Sequence, residues 1–319
     1  EGLVLHFRHI FKPRNVTCYF RKTCKMKQTL IILTILIFNI NLFGQTTYAG
    51  FIDKYPIVFV TDIYSDGDAR AFYVYTKFDD PIRINGNLKN GLLKLTEKNG
   101  ANKDIATLIF KDYNSKSNNI EGIWKDISSN KELKITLTKS FDIDFGDSIE
   151  WKNKELLQPT SLKDKYFKLI ISKEKNRFYA IVTGLKIFEK KTDKLIQQID
   201  LECQLWGIDN ISIDDYNFDG ISDFSVFEQS YAGPNTSSLY FLCDKQTNTY
   251  FESEFGGTSL EFDSKNKKIY ERNQCCAGAS VTTAEYKVVK NKMVLLKEHC
   301  FKWDEKKQKL VERKMKDCQ

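Results

Sequence analysis

Apolar residues in this chain recur mostly at alternate positions, in short runs broken by clusters of Gly, Asn and Asp. That period puts successive side chains on opposite faces of a strand, and from 47 to 140 no helical spacing of ordinary length competes with it. After Pro56 comes Ile57-Val58-Phe59-Val60-Thr61, then Asp66-Gly67, then Ala71-Phe72-Tyr73-Val74-Tyr75, which is the composition and punctuation of a β-hairpin. Further turns are predicted at Asn85-Gly86, Asn90-Gly91 and Asn99-Gly100, with strands at 92–96, 105–110, 120–124 and 133–137. Seven or eight strands joined by tight turns predict a small up-and-down barrel or sandwich over 47–140.

The polar, irregular stretch 141–160, with Gly146, Asp147 and Pro159, reads as a linker. Strand patterns resume in a second domain, 161–319, at 166–171, 178–182, 211–213, 224–227, 239–243, 250–254, 281–289 and 293–296. The charge runs Lys190-Lys191, Lys265 with Lys267 and Lys268, and Lys306-Lys307 with Lys309 read as solvated turns. No internal repeat is visible, which disfavours solenoids and propellers.

Charge changes the picture once it is divided along the chain. The formal +7 comes almost wholly from residues 1–44, which hold seven Lys/Arg against the single acid Glu1, leaving a net +1 beyond them. An electrostatic nucleic-acid binder is therefore not expected. From Met26 a short positive start leads into an apolar run from Leu30 to Phe43, so 26–44 reads as a signal peptide cleaved after Gly44, and 1–25 as an upstream extension. As a helix those fourteen positions, apolar except at Thr34, Asn39 and Asn41, span about 21 Å, short of the roughly 30 Å hydrocarbon core, so no stable membrane anchor is expected after processing. The competing reading is a cytoplasmic tail ahead of a signal anchor. A periplasmic or secreted location follows from the first.

Export implies an oxidising compartment, and Cys203, Cys243, Cys275, Cys276, Cys300 and Cys318 form an even set suited to disulfides. Their pairing is open, although a bond between the neighbours Cys275 and Cys276 would close a strained small ring. Zinc is disfavoured because no C-x-x-C pair occurs and His299 stands alone beyond residue 44.

One motif carries chemistry. Asp215-Tyr216-Asn217-Phe218-Asp219-Gly220-Ile221-Ser222-Asp223 has the D-x-N-x-D-G-x-x-D spacing of a calcium loop. Calcium takes six to eight hard oxygens, and side chains at alternate positions of a curled loop can converge on one point. Asp215, Asn217, Asp219 and Asp223 are the expected side-chain ligands, Asp223 directly or through water, and the Ile221 carbonyl adds an oxygen. Val226 stands where an EF-hand would carry its bidentate Glu, and the flanks read as strands, so a true EF-hand is not expected. The competing reading is an Asx-rich turn holding no ion. The similar segment 62–68 has Tyr64 at a ligand position and reads as a hairpin turn.

The calcium loop, the turn Ser230-Tyr231-Ala232-Gly233-Pro234-Asn235, the strand Leu239-Tyr240-Phe241-Leu242, and Cys275-Cys276 followed by Glu285-Tyr286-Lys287-Val288-Val289 together resemble a family of exported bacterial proteins. Its best understood members are periplasmic immunity proteins that inhibit lysozyme-like effectors of a bacterial-killing type IV secretion system. The resemblance covers roughly 165–300. It implies a β-rich fold shaped like periplasmic lysozyme inhibitors, a structural calcium ion and disulfides; the Cys-free front domain is a departure. In such inhibitors a rigid loop enters the sugar cleft of the hydrolase and offers hydrogen-bond donors to its two carboxylates. Tyr231 and Asn235 are the candidate donors here, with Gly233 and Pro234 fixing the backbone, and Ala277, Gly278, Ala279 and Ser280 form a second candidate tip.

The expected fold class is thus all-β: a barrel or sandwich followed by a calcium-stabilised, disulfide-linked, inhibitor-like domain. The expected function is that of a calcium-binding protein that binds, and in the inhibitor reading inhibits, a peptidoglycan hydrolase. The alternative is a calcium-stabilised surface module for glycan or protein, with Tyr73, Tyr75 and Trp124 as an aromatic platform. An enzyme is not expected: Asp142, Asp144, Asp147 and Glu150 single out no catalytic pair, and no nucleophile elbow, phosphate loop or zinc motif occurs.

Overall fold

The computed structural model describes residues 44–231 and 233–318. The expected upstream extension and all of the expected signal peptide except Gly44 lie outside the described residues. Eight antiparallel strands close a barrel: β1 (Gln45–Ile52), β2 (Tyr55–Ile63), β3 (Asp68–Tyr75), β4 (Ile82–Lys89), β5 (Leu92–Lys98), β6 (Asp104–Phe110), β7 (Asn119–Asp126) and β8 (Glu132–Asp142). Each strand pairs with the next, and β1 pairs with β8 to close the ring. Three open sheets follow. The first holds β9 (Trp151–Ser161), β10 (Lys165–Lys173), β11 (Ile181–Glu189) and β12 (Leu195–Gln204); the second holds β13 (Ile211–Asp214), β14 (Asp223–Ser230), β15 (Thr236–Asp244) and β16 (Thr249–Glu252). The third holds β17 (Glu261–Asp263), β18 (Lys268–Cys275), β19 (Ser280–Val289), β20 (Lys292–Asp304) and β21 (Lys309–Arg313). The all-β expectation and the up-and-down barrel are what the structure shows, and no described helix is long and apolar enough to cross a membrane.

Three expectations need correction. Asn85-Gly86 is not a turn but lies inside β4, where a Cβ on Gly86 would sit 1.8 Å from the Lys94 carbonyl oxygen. Glycine there lets β5 approach, which is the barrel-corner use of Gly rather than its turn use. The expected linker contains β9, and the barrel begins at Gln45. The pair Lys190-Lys191 lies in a turn as expected, with Lys191 exposed, but Lys190 is not solvated: it is 8% exposed and ion-paired with Asp80 of the barrel, while the Lys191 backbone N–H donates to Asp79 at 3.3 Å.

Two cores explain why barrel and sheets adhere. Tyr48, Phe59, Tyr73 and Phe110 fill the barrel interior. On its outer face Val60, Phe72 and Val74 join Phe167, Phe224 and Phe241 in a second core running through the first two open sheets. The described residues accordingly form one compact unit. Of the six cysteines expected to bond, Cys300 and Cys318 do, across a Cα separation of 5.9 Å; Cys203, Cys243, Cys275 and Cys276 are thiols. Cys203 and Cys243 are packed into the second core as apolar groups, so burial rather than bonding accounts for them.

Candidate functional site

The loop 215–223 connects β13 to β14, and its alternation is read twice by the fold. Tyr216 and Phe218 turn inward to a third core with Tyr240, Leu242, Phe255 and Ile269, beneath the five-stranded sheet. The intervening Asp215, Asn217 and Asp219 face the loop itself. Asp215 accepts the backbone N–H of Asp219 at 2.9 Å and of Gly220 at 2.8 Å; Asn217 Oδ1 also accepts from Asp219, at 3.1 Å, and Asp219 Oδ1 accepts from Ile221 at 3.0 Å. The curl needs left-handed backbone at Phe218 (φ 61°) and Gly220 (φ 88°); for Phe218 its buried ring offsets the strain.

Asp223 is 1% exposed and accepts the N–H of Tyr216 at 3.0 Å and of Cys243 at 2.9 Å. Burial pushes its carboxyl up to about 6, overcoming the lowering effect of those hydrogen bonds. Lys245 lies 3.5 Å from Asp219. The donor chemistry, all hard oxygen, is that of calcium. The geometry differs from a cage: each carboxylate closes the loop through backbone N–H groups, and among the described residues no three His, Cys, Asp or Glu side chains group closely enough to hold a metal ion.

The two expected partner-binding tips are brought together. Tyr231, Gly233, Pro234 and Asn235, between β14 and β15, share a concavity of about 740 Å³ with Cys275, Cys276, Ala277 and Gly278, between β18 and β19. Asn235 joins them. Its amide nitrogen donates to Asn273 Oδ1 at 3.0 Å and to the Gln274 carbonyl at 2.8 Å, and its oxygen accepts the Gln274 N–H at 3.1 Å. Asn235 is therefore not a free donor for a partner; it is 7% exposed and bridges the tips, because its amide matches the edge of β18 as another strand would. Tyr231 is 45% exposed, and its hydroxyl accepts from Gln229 at 2.8 Å while lying 3.3 Å from the Ser237 hydroxyl.

In the second tip Cys276, Ala277 and Gly278 form a short turn with left-handed backbone at all three residues, and the Cys275 and Cys276 sulfurs lie 2.9 Å apart. Ser280 stands back from the concavity on β19, beside Cys318 at 3.6 Å. The Cys300–Cys318 bridge thus lies behind this tip, tying the chain end to β20.

The platform expected of Tyr73, Tyr75 and Trp124 does not exist on the surface. Tyr73 is 1% exposed inside the barrel, and both its hydroxyl and the Trp124 indole N–H donate to Glu97, at 2.8 and 3.3 Å. The pair reads as a core network: a buried carboxylate needs donors, and strand-spaced aromatics supply them. Of the acids weighed as catalytic, Asp142 pairs with Lys139 at 2.6 Å, while Asp144, Asp147 and Glu150 lie on the exposed connection to β9. No protein-family model matches the chain, and none of the curated proteins matches it.

Proposed function

We propose that this chain is an exported binding protein that presents the joined tips at 231–235 and 275–278 to a protein partner, and that the partner is a peptidoglycan hydrolase of the lysozyme kind. The observation that carries the reading is the Asn235 bridge: segments singled out separately in the sequence share one concavity and three hydrogen bonds. Tips held this way lose little conformational freedom on docking. With its oxygen already accepting from Gln229, Tyr231 keeps its own O–H proton to donate to a carboxylate. Inserted in a sugar cleft, such a donor would engage the catalytic carboxylates and displace substrate and water. The second reading, a surface module that binds without inhibiting, loses the platform first suggested for it.

The test is hydrolysis of bacterial cell walls by a panel of lysozymes with and without the purified protein. At least one enzyme should be slowed in proportion to added protein, and Tyr231→Ala should relieve the inhibition; unchanged rates across the panel reject the inhibitor reading.

We further infer that the loop 215–223 takes a structural calcium ion, on the strength of its donor series and its place at the start of β14, the strand whose far end leads into the first tip. With a dissociation constant of about 0.1 mM and about 2 mM free calcium, binding would stabilise the fold by about 1.8 kcal/mol, or about 2–4 °C in melting midpoint. A melt with and without chelator reads this directly. An unchanged midpoint removes the ion from the account.

A further inference from the structure

A second concavity, of about 480 Å³, opens where the start of β1 and the β2–β3 hairpin meet the loop between β12 and β13. Its walls are aromatic and its polar groups are mostly acceptors. Trp206 is 55% exposed, with its ring packed at 5.1 Å on Phe227, and Tyr179 is 70% exposed, edge-on to Phe145 at 5.9 Å. Large aromatics left in water on a connection are ordinarily mobile, but this connection is pinned. Asn210, itself 2% exposed, accepts the backbone N–H of Trp206 at 2.7 Å, donates from its side-chain amide to the Gly207 carbonyl at 3.0 Å, and donates its own backbone N–H to the buried Gln158 at 3.3 Å. From the barrel side Arg83 holds Asp209 at 2.6 Å and Thr160 at 3.0 Å. The Trp206 face is therefore presented on a rigid frame.

The floor supplies an independent sign of a ligand. Gln45 is 6% exposed and lines this concavity, and its Oε1 is buried with no hydrogen-bond partner among the described residues. An orphaned amide oxygen is costly to bury, and a ligand donor that met it, the Gln45 amide turning toward the concavity, would remove that cost. Beside it Asp62, 8% exposed, adds a carboxylate. Acceptors on the floor call for a ligand rich in donors. A phosphate or other anion is disfavoured by Asp62 and Asp209, and an organic cation by Arg70, whose guanidinium lies 5.4 Å over the Tyr64 ring and already occupies that aromatic face. A neutral polyhydroxylated ring meets both demands: its C–H face stacks on Trp206 and Tyr179, and its hydroxyls donate to Gln45 and Asp62.

We propose that this concavity is a binding site for a neutral sugar. It is separate from the joined tips and holds whether or not they bind a hydrolase. Cellotetraose, chitotetraose, maltotetraose and mannotetraose are titrated at millimolar concentration into the purified protein, with choline chloride as the cationic competitor, by calorimetry and tryptophan fluorescence. At least one sugar should bind. Trp206→Ala and, separately, the more exposed Tyr179→Ser should each weaken it by about tenfold or more, and Tyr231→Ala should leave it unchanged. Absence of binding by all four sugars, choline binding that no sugar displaces, or sugar binding indifferent to both aromatic variants overturns the proposal. Because Tyr179→Ser removes a side chain that is mostly in solvent, its fold is retained even where Trp206→Ala disturbs Phe227.

Discussion

The front and rear of this molecule bury the same kind of alternating strand by different routes. The barrel closes β1 on β8, so every strand has two neighbours and no edge is left, and its interior is filled with aromatic rings and a Glu97 carboxylate satisfied from within. The rear leaves its sheets open, and their connecting loops carry nearly everything with chemistry in it: the acidic loop, the joined tips and Trp206. Closure consumes the backbone and the interior side chains of the front, which leaves it as a buttress. Openness leaves the rear with connections that must be braced individually, by Asn210, Asn235 and Asp223.

The largest test of this contrast concerns the cores. Phe224→Ala, which removes a ring stacked on Phe241 at 4.9 Å, should cost about 3–5 kcal/mol, and Phe59→Ala in the barrel a similar amount. Because Val60, Phe72 and Val74 belong to the rear core, both variants should still unfold in urea as one transition by fluorescence and circular dichroism. Two separated transitions would show buttress and sheets to be independent. Next in size, Asn235→Ala should cost about 2 kcal/mol and raise amide hydrogen exchange at 273–278 while leaving the barrel's protection intact. Uniform loss of protection would mean that the tips are not a locally braced pair.

The smallest effect concerns Asp62, whose carboxyl is raised chiefly by burial, against hydrogen bonds from Tyr64 and Gln45. A carboxyl raised in the folded state stabilises below its unfolded value, near pH 3.8, and that contribution is lost as pH rises through the folded value. Asp62→Asn should therefore gain in melting midpoint relative to the parent between pH 4 and pH 7. A constant difference across that range would place Asp62 in a water-like setting.

How much of this was legible follows from the distances along the chain. Strand period and tight turns announced the barrel, because each hairpin is local; Asn85-Gly86 misled because close approach of a neighbouring strand demands the same residue as a turn. The strand β12, Leu-Ile-Gln-Gln-Ile-Asp-Leu-Glu-Cys-Gln, escaped notice because as a sheet edge it is polar enough to pass for a loop, and β9 because its first half is charged. The acidic loop was legible from spacing alone. The bridging role of Asn235 was not, since its partner Gln274 is 39 residues away. The sugar-sized concavity was still less visible, as it gathers Gln45, Asp62, Tyr179 and Trp206 from both halves of the chain.

Among the described residues, paired strands in every sheet follow one another directly in the chain, with the single exception of β1 against β8. A polypeptide emerging from the ribosome can therefore assemble each hairpin as it appears, but Thr46 must wait for Asp142 before its strand gains a second neighbour. Until then one flank of β1 is an unpaired edge of the kind on which another chain can template, and ring closure is the expected slow step of the front half.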